Sequence, residues 1–391
     1  MIGVIADDLT GASELGGIGV RRGLKVEIVI RGEFAGDADL LCVDTDSRAC
    51  RAREAGRRAA AAARKLRKAG AALIYKKVDS VLRGNVLTEV RAIQKALGLR
   101  SALLIPANPR FGRVIRDGQY FVKGKPIHQT DFARDPEYPR RSPNVLKMLG
   151  VTMAREVSVT RLAKYRHGSG IVLGEVSSSA DVQKWAFQRR SDMLLAGGAE
   201  FFEAVLKTSG SFEGMTMEPP HVGCYEVHGT RAWKVRRELF ICGSTSDYTE
   251  QFVSEARRAG TPVFSLIERN KRSFDPTPAM LKSVAEKSLL AFESHLRVIL
   301  AVGRPLVESP SVARKLSGLL VKIAVNVIEQ AKPNHVFAEG GATAAELVRQ
   351  LGWTRLRVLQ ELAPGVTTLA LLGRHAPLLT IKPGSYPGWP K

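Results

Sequence analysis

The chain is poor in the residues that cross-link a scaffold. Its 391 residues hold four cysteines, Cys42, Cys50, Cys224 and Cys242, scattered and without a Cys-x-x-Cys pair, which excludes a disulfide framework and a zinc-ribbon spacing. Cys42 and Cys242 sit inside apolar runs, the usual setting of buried free thiols. No apolar run approaches the roughly 20 residues that span a bilayer. Met1-Ile2-Gly3 leads straight into a strand-like run with no basic leader. The expectation is a cytoplasmic protein with no membrane partner. Aromatics make up only 6%. Neither a Walker A sequence nor a Gly-x-Gly-x-x-Gly turn after a strand is present, so the standard P-loop and dinucleotide arrangements fail.

Acidic residues are also scarce. Lys and Arg number 59 against 38 Asp and Glu, a net charge of +21. Such a balance points to nucleic acid, an anionic membrane surface or small anions. The densest basic stretch, 48–68, is Ala-rich and lies between two strand-like runs. It reads as a solvated crossover helix and not as a nucleic-acid-binding tail, so no nucleic-acid partner is expected.

What the chain does have is alternation. Strand-like runs at 2–6, 26–30, 40–43, 73–76 and 102–105 are separated by helix-like stretches at 12–22, 51–69 and 86–97, the signature of a parallel sheet with crossover helices. The stretch 106–143 breaks the pattern with prolines, glycines and aromatics, as an ordered lid or binding loop does. Weaker α/β patterning returns over 150–206. A second alternation begins at 239 and closes with strand-like runs at 356–359, 368–372 and 378–381 without helices between them. The expected architecture is α/β: two α/β domains with mainly parallel sheets facing each other across an interdomain cleft. The domains are expected at 1–207 and 237–391, with 208–236 a linker or extra strand. An exposed sheet edge offers a route to a homo-oligomer.

Ligands of open α/β sheets bind outside the carboxyl ends of the strands, and there the polar residues gather. Ile5-Ala6 runs into Asp7-Asp8-Leu9-Thr10-Gly11, and Ile74-Tyr75 into Lys76-Lys77-Val78-Asp79-Ser80-Val81-Leu82-Arg83-Gly84. Asp44-Thr45-Asp46-Ser47-Arg48 ends another strand. Carboxylates there serve as a proton acceptor or metal ligand, with one of Asp7 and Asp8 expected to cap the first helix. Arg48, Lys77 and Arg83 suit a substrate carboxylate, Arg bidentately, or Lys77 and Arg83 form a surface ion-pair cluster with Asp79. His128 in the long loop is a candidate proton carrier. In the second half, Gly243-Ser244-Thr245-Ser246 and Gly340-Gly341-Ala342-Thr343 each lead into a helix. Turns of that kind present free N–H groups to phosphate, or carry plain N-caps at Ser246 and Thr343.

These motifs, in this order nearly end to end, resemble the four-carbon acid sugar kinase family. Pro106-Ala107-Asn108-Pro109, Gly112-Arg113, Asp117-Gly118, Asp135-Pro136, Pro364-Gly365-Val366 and Lys382-Pro383-Gly384 add to the match. The resemblance implies phosphorylation of threonate, erythronate or a 2-oxo-tetronate, with ATP and Mg2+ as cofactors and a small sugar acid as partner. It assigns substrate to Asp8, Arg48, Lys77, Asp79 and Ser80, with Arg83 beside them. It assigns the nucleotide to Ser244, Gly340, Gly341, Ala342, Thr343 and Gly384. Asp8, Lys77, Asp79 and Arg83 are then the catalytic group, Asp8 as base; no metal ligand is assigned. Val81 stands where the family usually has Thr, Ala342 where it has Glu, and Pro383 where it has Ser. A kinase of a related oxidised or branched acid such as 3-oxo-isoapionate is the alternative within the enzyme class. A binding protein of the same fold without phosphoryl transfer is the alternative outside it.

Overall fold

The computed structural model describes residues 1–34, 37–135, 137–152, 156–208, 236–267, 276–303, 309–373, 376–384 and 389. The expected linker or extra strand at 208–236 falls almost wholly outside the described residues, as does Cys224. The chain divides into two compact units, Met1–Met217 and Glu218–Lys391.

Unit 1 opens with β1 (Ile2–Ala6), α1 (Leu9–Arg21), β2 (Val26–Val29), β3 (Leu40–Asp44), α2 (Ala52–Lys68), β4 (Leu73–Lys77), α3 (Val86–Leu97) and β5 (Ser101–Ile105). An excursion follows with β6 (Arg113–Arg116), β7 (Gln119–Val122), β8 (Lys125–Pro126) and the single-turn α4 (Val145–Met148). The unit closes with β9 (Val157–Thr160), β10 (Gly170–Gly174), α5 (Ser179–Ala186), β11 (Met193–Gly197) and α6 (Ala199–Thr208). Its main sheet runs β2-β3-β1-β4-β11-β5-β10-β9, parallel throughout. Buried on both faces, these strands read as continuous apolar runs without alternation.

The basic stretch is the crossover helix α2. Ala55, Ala59, Ala62, Ala63 and Leu66 are buried, a stripe at helical spacing. Its arginines and lysines lie off that stripe. Small residues let the helix lie close: a Cβ on Gly3 of β1 would stand 2.9 Å from Leu66.

The excursion 106–143 is a small antiparallel sheet, β6-β7-β8. Asp117-Gly118 and Lys123-Gly124 form its two-residue turns, all four at positive φ, the type I′ geometry that Asp-Gly and Gly-bearing pairs favour. The helix expected from residue 12 begins at Leu9, because Asp8 caps it.

Unit 2 carries β12 (Glu238–Cys242), α7 (Asp247–Arg258), β13 (Val263–Ile267), α8 (Pro278–Ser294), β14 (Arg297–Gly303), α9 (Pro310–Ala331), β15 (His335–Glu339), α10 (Gly341–Gln350), β16 (Arg355–Ala363), β17 (Val366–Leu371) and β18 (Leu378–Lys382). Its strands run β13-β14-β12-β15-β18-β17-β16. The first five are mutually parallel, and β18-β17-β16 is an antiparallel meander. One core cluster joins Phe240, Cys242, Val253, Ile299 and Ala301.

Trp185 of α5 is fully buried, donates its indole N–H to the Glu175 carbonyl at 2.9 Å and meets Tyr165 edge-on. Trp185→Ala is expected to cost about 3–5 kcal/mol, read as a lowered urea midpoint at unchanged slope.

Candidate functional site

In unit 1, β1 lies between β3 and β4, in a register that sets Ala6 beside Asp44 and Ile5 beside Lys76. The residues that follow these strands therefore emerge side by side. Arg48 is the hub. Its Nε and Nη2 meet Asp7 Oδ2 at 2.8 Å and Oδ1 at 3.0 Å, its Nη1 meets Asp8 Oδ2 at 2.6 Å, and Asp79 Oδ2 stands 4.0 Å from Nη2.

Asp79 engages Arg83 in a second fork, Nε to Oδ1 at 3.1 Å and Nη2 to Oδ2 at 2.8 Å. It also accepts the amides of Val81 and Arg83. The tight turn so formed holds Leu82 at φ 64, a left-handed conformation unusual for a leucine. Gly84 follows at positive φ, and a Cβ there would stand 3.1 Å from Asp7 Oδ2. Arg83 Nη1 continues to Asp135 Oδ2 at 3.0 Å.

Lys77 Nζ pairs with Glu14 Oε2 of α1 at 3.0 Å. The Ser80 hydroxyl accepts from Arg113 Nη1, and its carbonyl accepts from the Tyr120 hydroxyl. Beneath the cluster Lys76 and Glu89, both buried, pair at 2.6 Å, and Ser47 donates to Glu89.

Asp8, Arg48, Lys77, Asp79, Ser80 and Arg83 thus belong to one connected patch. Glu14 and Tyr120 are partners that sequence reasoning did not single out, and Arg113 and Asp135 entered it only as part of the family match, without a role. Glu14 is one helical turn beyond Gly11, so its spacing was the available signal. His128 lies in the short turn Ile127–Gln129 with its Nδ1 buried and unpartnered. Among the described residues no hydrogen bond or ion pair joins it to the patch.

The two neighbouring aspartates differ. Burial pushes both up, but Arg48 and Lys76 outweigh it at Asp7, whose carboxyl is held below its ordinary value. At Asp8 burial prevails over Arg48, aided by the Asp7 charge, and its carboxyl is raised. Asp8 is also the N-cap of α1, its Oδ1 accepting the Gly11 amide at 2.7 Å. Asp79 is held well below the carboxylate range: burial opposes this, but Arg83 and Arg48 win. Lys77, despite burial, is kept charged by Glu14, Asp8 and Asp79.

Unit 2 repeats the logic. Cys242 pairs with Glu339 and Glu339 with Lys382 across β12, β15 and β18, so the turns after these strands meet. A Cβ on Gly384 would stand 2.9 Å from Ser244 Oγ, and one on Gly340 3.6 Å from Thr343 Oγ1. Ser246 caps α7 through the Thr249 amide and donates to the Gly384 carbonyl at 3.1 Å. Thr343 is not the cap of α10. Gly340 occupies that position at φ 97 with no side chain to offer, and the Thr343 hydroxyl turns to Ser317 at 3.1 Å. The first-turn amides of α10, with Ala342 among them, therefore carry no side-chain cap. Such donors at a helix N-terminus suit an anion. Under the turns Lys382 and Glu339, each 1% exposed, pair at 2.7 Å with Thr249 donating to Glu339. Beside Ser244 a cavity of about 420 Å³ is lined by Val253, Phe264, Met280, Val284 and Lys287.

Comparison with known proteins agrees with this division. Residues 2–190 match the sugar-binding N-terminal domain model and residues 239–386 the nucleotide-binding C-terminal domain model. The chain is 27% identical to a D-threonate kinase of Salmonella typhimurium, over 92% of this chain and 89% of the relative. It is 25% identical to a D-erythronate kinase of Heliobacterium modesticaldum, over 96% and 92%. A 3-oxo-tetronate kinase of Methylobacterium radiotolerans is 29% identical over 99% and 96%. Solved structures from Salmonella typhimurium (TM-score 0.76, 19% identity, 99% of this chain and 96% of that one) and Haemophilus influenzae (0.68, 18%, 99% and 97%) share the fold.

Asp44, at the end of β3, is buried with the Asp46 amide on its Oδ1 at 2.8 Å. Burial first, then Asp8, Asp46 and Asp7, push its carboxyl up to about 8. The unfolded chain releases this proton near pH ~4, so between there and about pH 8 the folded state holds the extra proton. Stability through this group falls as pH rises across that window. Asp44→Asn, which keeps the acceptor, is expected to flatten the decline in melting temperature from pH 5 to 8.

Proposed function

We propose, for a chain that belongs to the four-carbon acid sugar kinase family, that unit 1 binds a tetronate-type sugar acid and unit 2 binds ATP. The chain is a phosphotransferase that moves the γ-phosphoryl group of ATP to a hydroxyl of that acid. The observation that carries this reading is the pairing of two unlike sites at parallel strand ends: a patch of arginines, lysine and aspartates in unit 1, and uncapped helix amides in unit 2.

Asp8 is the base. Burial raises its carboxyl above the ordinary carboxylate value, and it meets Arg48 through Oδ2 alone, whereas Asp7 and Asp79 each hold an arginine with both oxygens. The substrate hydroxyl loses its proton to Asp8 as its oxygen bonds to the γ-phosphorus, and the bond to the ADP oxygen breaks. Lys77, held charged by Glu14, and Arg83 neutralise charge on the transferring group, and Asp79 fixes Arg83. Ser244, Gly340, Gly341, Ala342, Thr343 and Gly384 cradle the phosphates, and the adjoining cavity takes the nucleoside.

Magnesium is held mostly by phosphate oxygens and water, with one or two carboxylates. The absence of a three-carboxylate or histidine cluster among the described residues is compatible with that donor set. The ion, when bound, would neutralise phosphate charge; with Asp7 and Asp79 held through both oxygens, Asp8 would be the carboxylate of the patch to meet it.

A panel of tetronic, oxo-tetronic and branched sugar acids with ATP and magnesium, read by ADP release, tests the activity; no ADP above background with any acid would sink it. Asp8→Asn keeps a good helix cap, so its melting temperature is expected to hold while kcat falls about 10²–10⁴-fold. Near-normal turnover would assign the base elsewhere. Gly384→Val crowds Ser244 and is expected to raise the KM for ATP with the acid KM unchanged.

A further inference from the structure

Arg48 and Arg83 were the arginines expected to take the substrate carboxylate, yet both guanidinium forks are already filled. Arg48 is shared by Asp7 and Asp8, and Arg83 by Asp79 and Asp135. Two other arginines of unit 1 are not so committed. Arg140 is 8% exposed, its Nε has no hydrogen-bond partner, and its Nη1 reaches only the Met148 carbonyl at 3.5 Å. Arg113 gives one N–H to the Ser80 hydroxyl and lies over the rings of Phe111 and Phe132. Among the described residues no carboxylate stands within ion-pair distance of either.

Both residues meet Phe132: the Arg140 backbone amide donates to its carbonyl at 2.9 Å, and the Arg113 guanidinium covers its ring at 5.4 Å. Both charges act on Tyr120, whose hydroxyl holds the Ser80 carbonyl. Burial lowers Arg140's affinity for its proton, with Asp79 and Asp135 as the nearest carboxylates acting on it. A buried cation with an empty fork is costly unless an anion arrives to fill it.

We propose that Arg113, which bonds Ser80, and the buried Arg140 together are the receptor for the substrate's carboxylate and select sugar acids over neutral polyols. This rests on the reading of unit 1 as the sugar-acid site. It divides the labour: Arg48 and Arg83 organise the aspartates, Arg83 also lending its charge to phosphoryl transfer, and the excursion after β5 recognises the acid.

The test is calorimetric titration of the full chain with D-threonate, D-erythronate and threitol, beside ADP release and melting temperature. Arg140→Met keeps the aliphatic stem. It is expected to weaken tetronate binding about ten- to a hundredfold, the worth of a charge-assisted fork, with ATP binding unchanged and the ligand-free melting temperature equal or higher. Arg140→Lys should recover part of the loss, and Arg113→Met should weaken the same ligands. A structural arginine behaves otherwise: Arg140→Met with wild-type tetronate affinity, or with a lowered melting temperature and lost ATP binding, would overturn the proposal. So would a wild-type chain that binds threitol as well as the acids, or binds neither tetronate. Tetronate binding that both Met variants weaken, without ADP release from wild type, upholds the receptor while the kinase reading falls.

Discussion

One guanidinium group ties unit 1's site together. Arg48 leaves the end of β3, grips Asp7 and Asp8 beyond β1, and stands near Asp79 beyond β4. Three strands that are neighbours in the sheet thereby have their trailing turns locked to one cation. A buried pair of this kind adds little net stability compared with an apolar substitute, because removing the charges from water is expensive. What it does is fix geometry. The two-point hold of Arg48 on Asp7, against burial and the Asp7 charge at Asp8, leaves one carboxyl below its ordinary value and its neighbour above it, the separation that assigns different jobs to like residues.

Unit 2 likewise buries an ion pair, Lys382–Glu339, at the ends of two adjacent parallel strands, and Thr249 of α7 completes its hydrogen bonding. The ions are hidden here, and what faces outward is backbone: a glycine in the cap position and amides with no side chain over them. Paired side-chain charge suits a hydroxy acid with a defined shape, and backbone donors suit phosphate, which every nucleotide carries. The missing acidic side chain at Ala342 leaves that helix end more positive.

Much of this was legible in the sequence. The crossover strands and helices follow from apolar runs and breaks, and the boundaries miss by a residue or a few where capping intervenes, as Asp8 shows. That Asp8, Arg48, Lys77, Asp79 and Arg83 share one patch follows from the rule that parallel strand ends line up. The partnerships were not legible. Nothing in the order of residues tells which aspartate turns to which arginine, or that Thr343 would face Ser317 and leave the cap to Gly340. Those choices depend on register between strands distant in sequence. The segment 106–143 was readable only as an irregular loop, because its strands are four residues or fewer and its pairing rests on two tight turns. Arg140 was invisible for the same reason: a basic residue in a proline-rich stretch gives no sign that it is buried.

The β6-β7-β8 excursion has an evolutionary corollary. It is a separate small sheet hung between β5 and β9, and it carries Arg113 and Tyr120, which bond Ser80, without supplying a strand to the main sheet. With the acid recognised there as proposed, exchanging or lengthening one of its hairpins would retune which metabolite is admitted while the crossover scaffold and its aspartates stay as they are. Divergence among such proteins is therefore expected to accumulate there first.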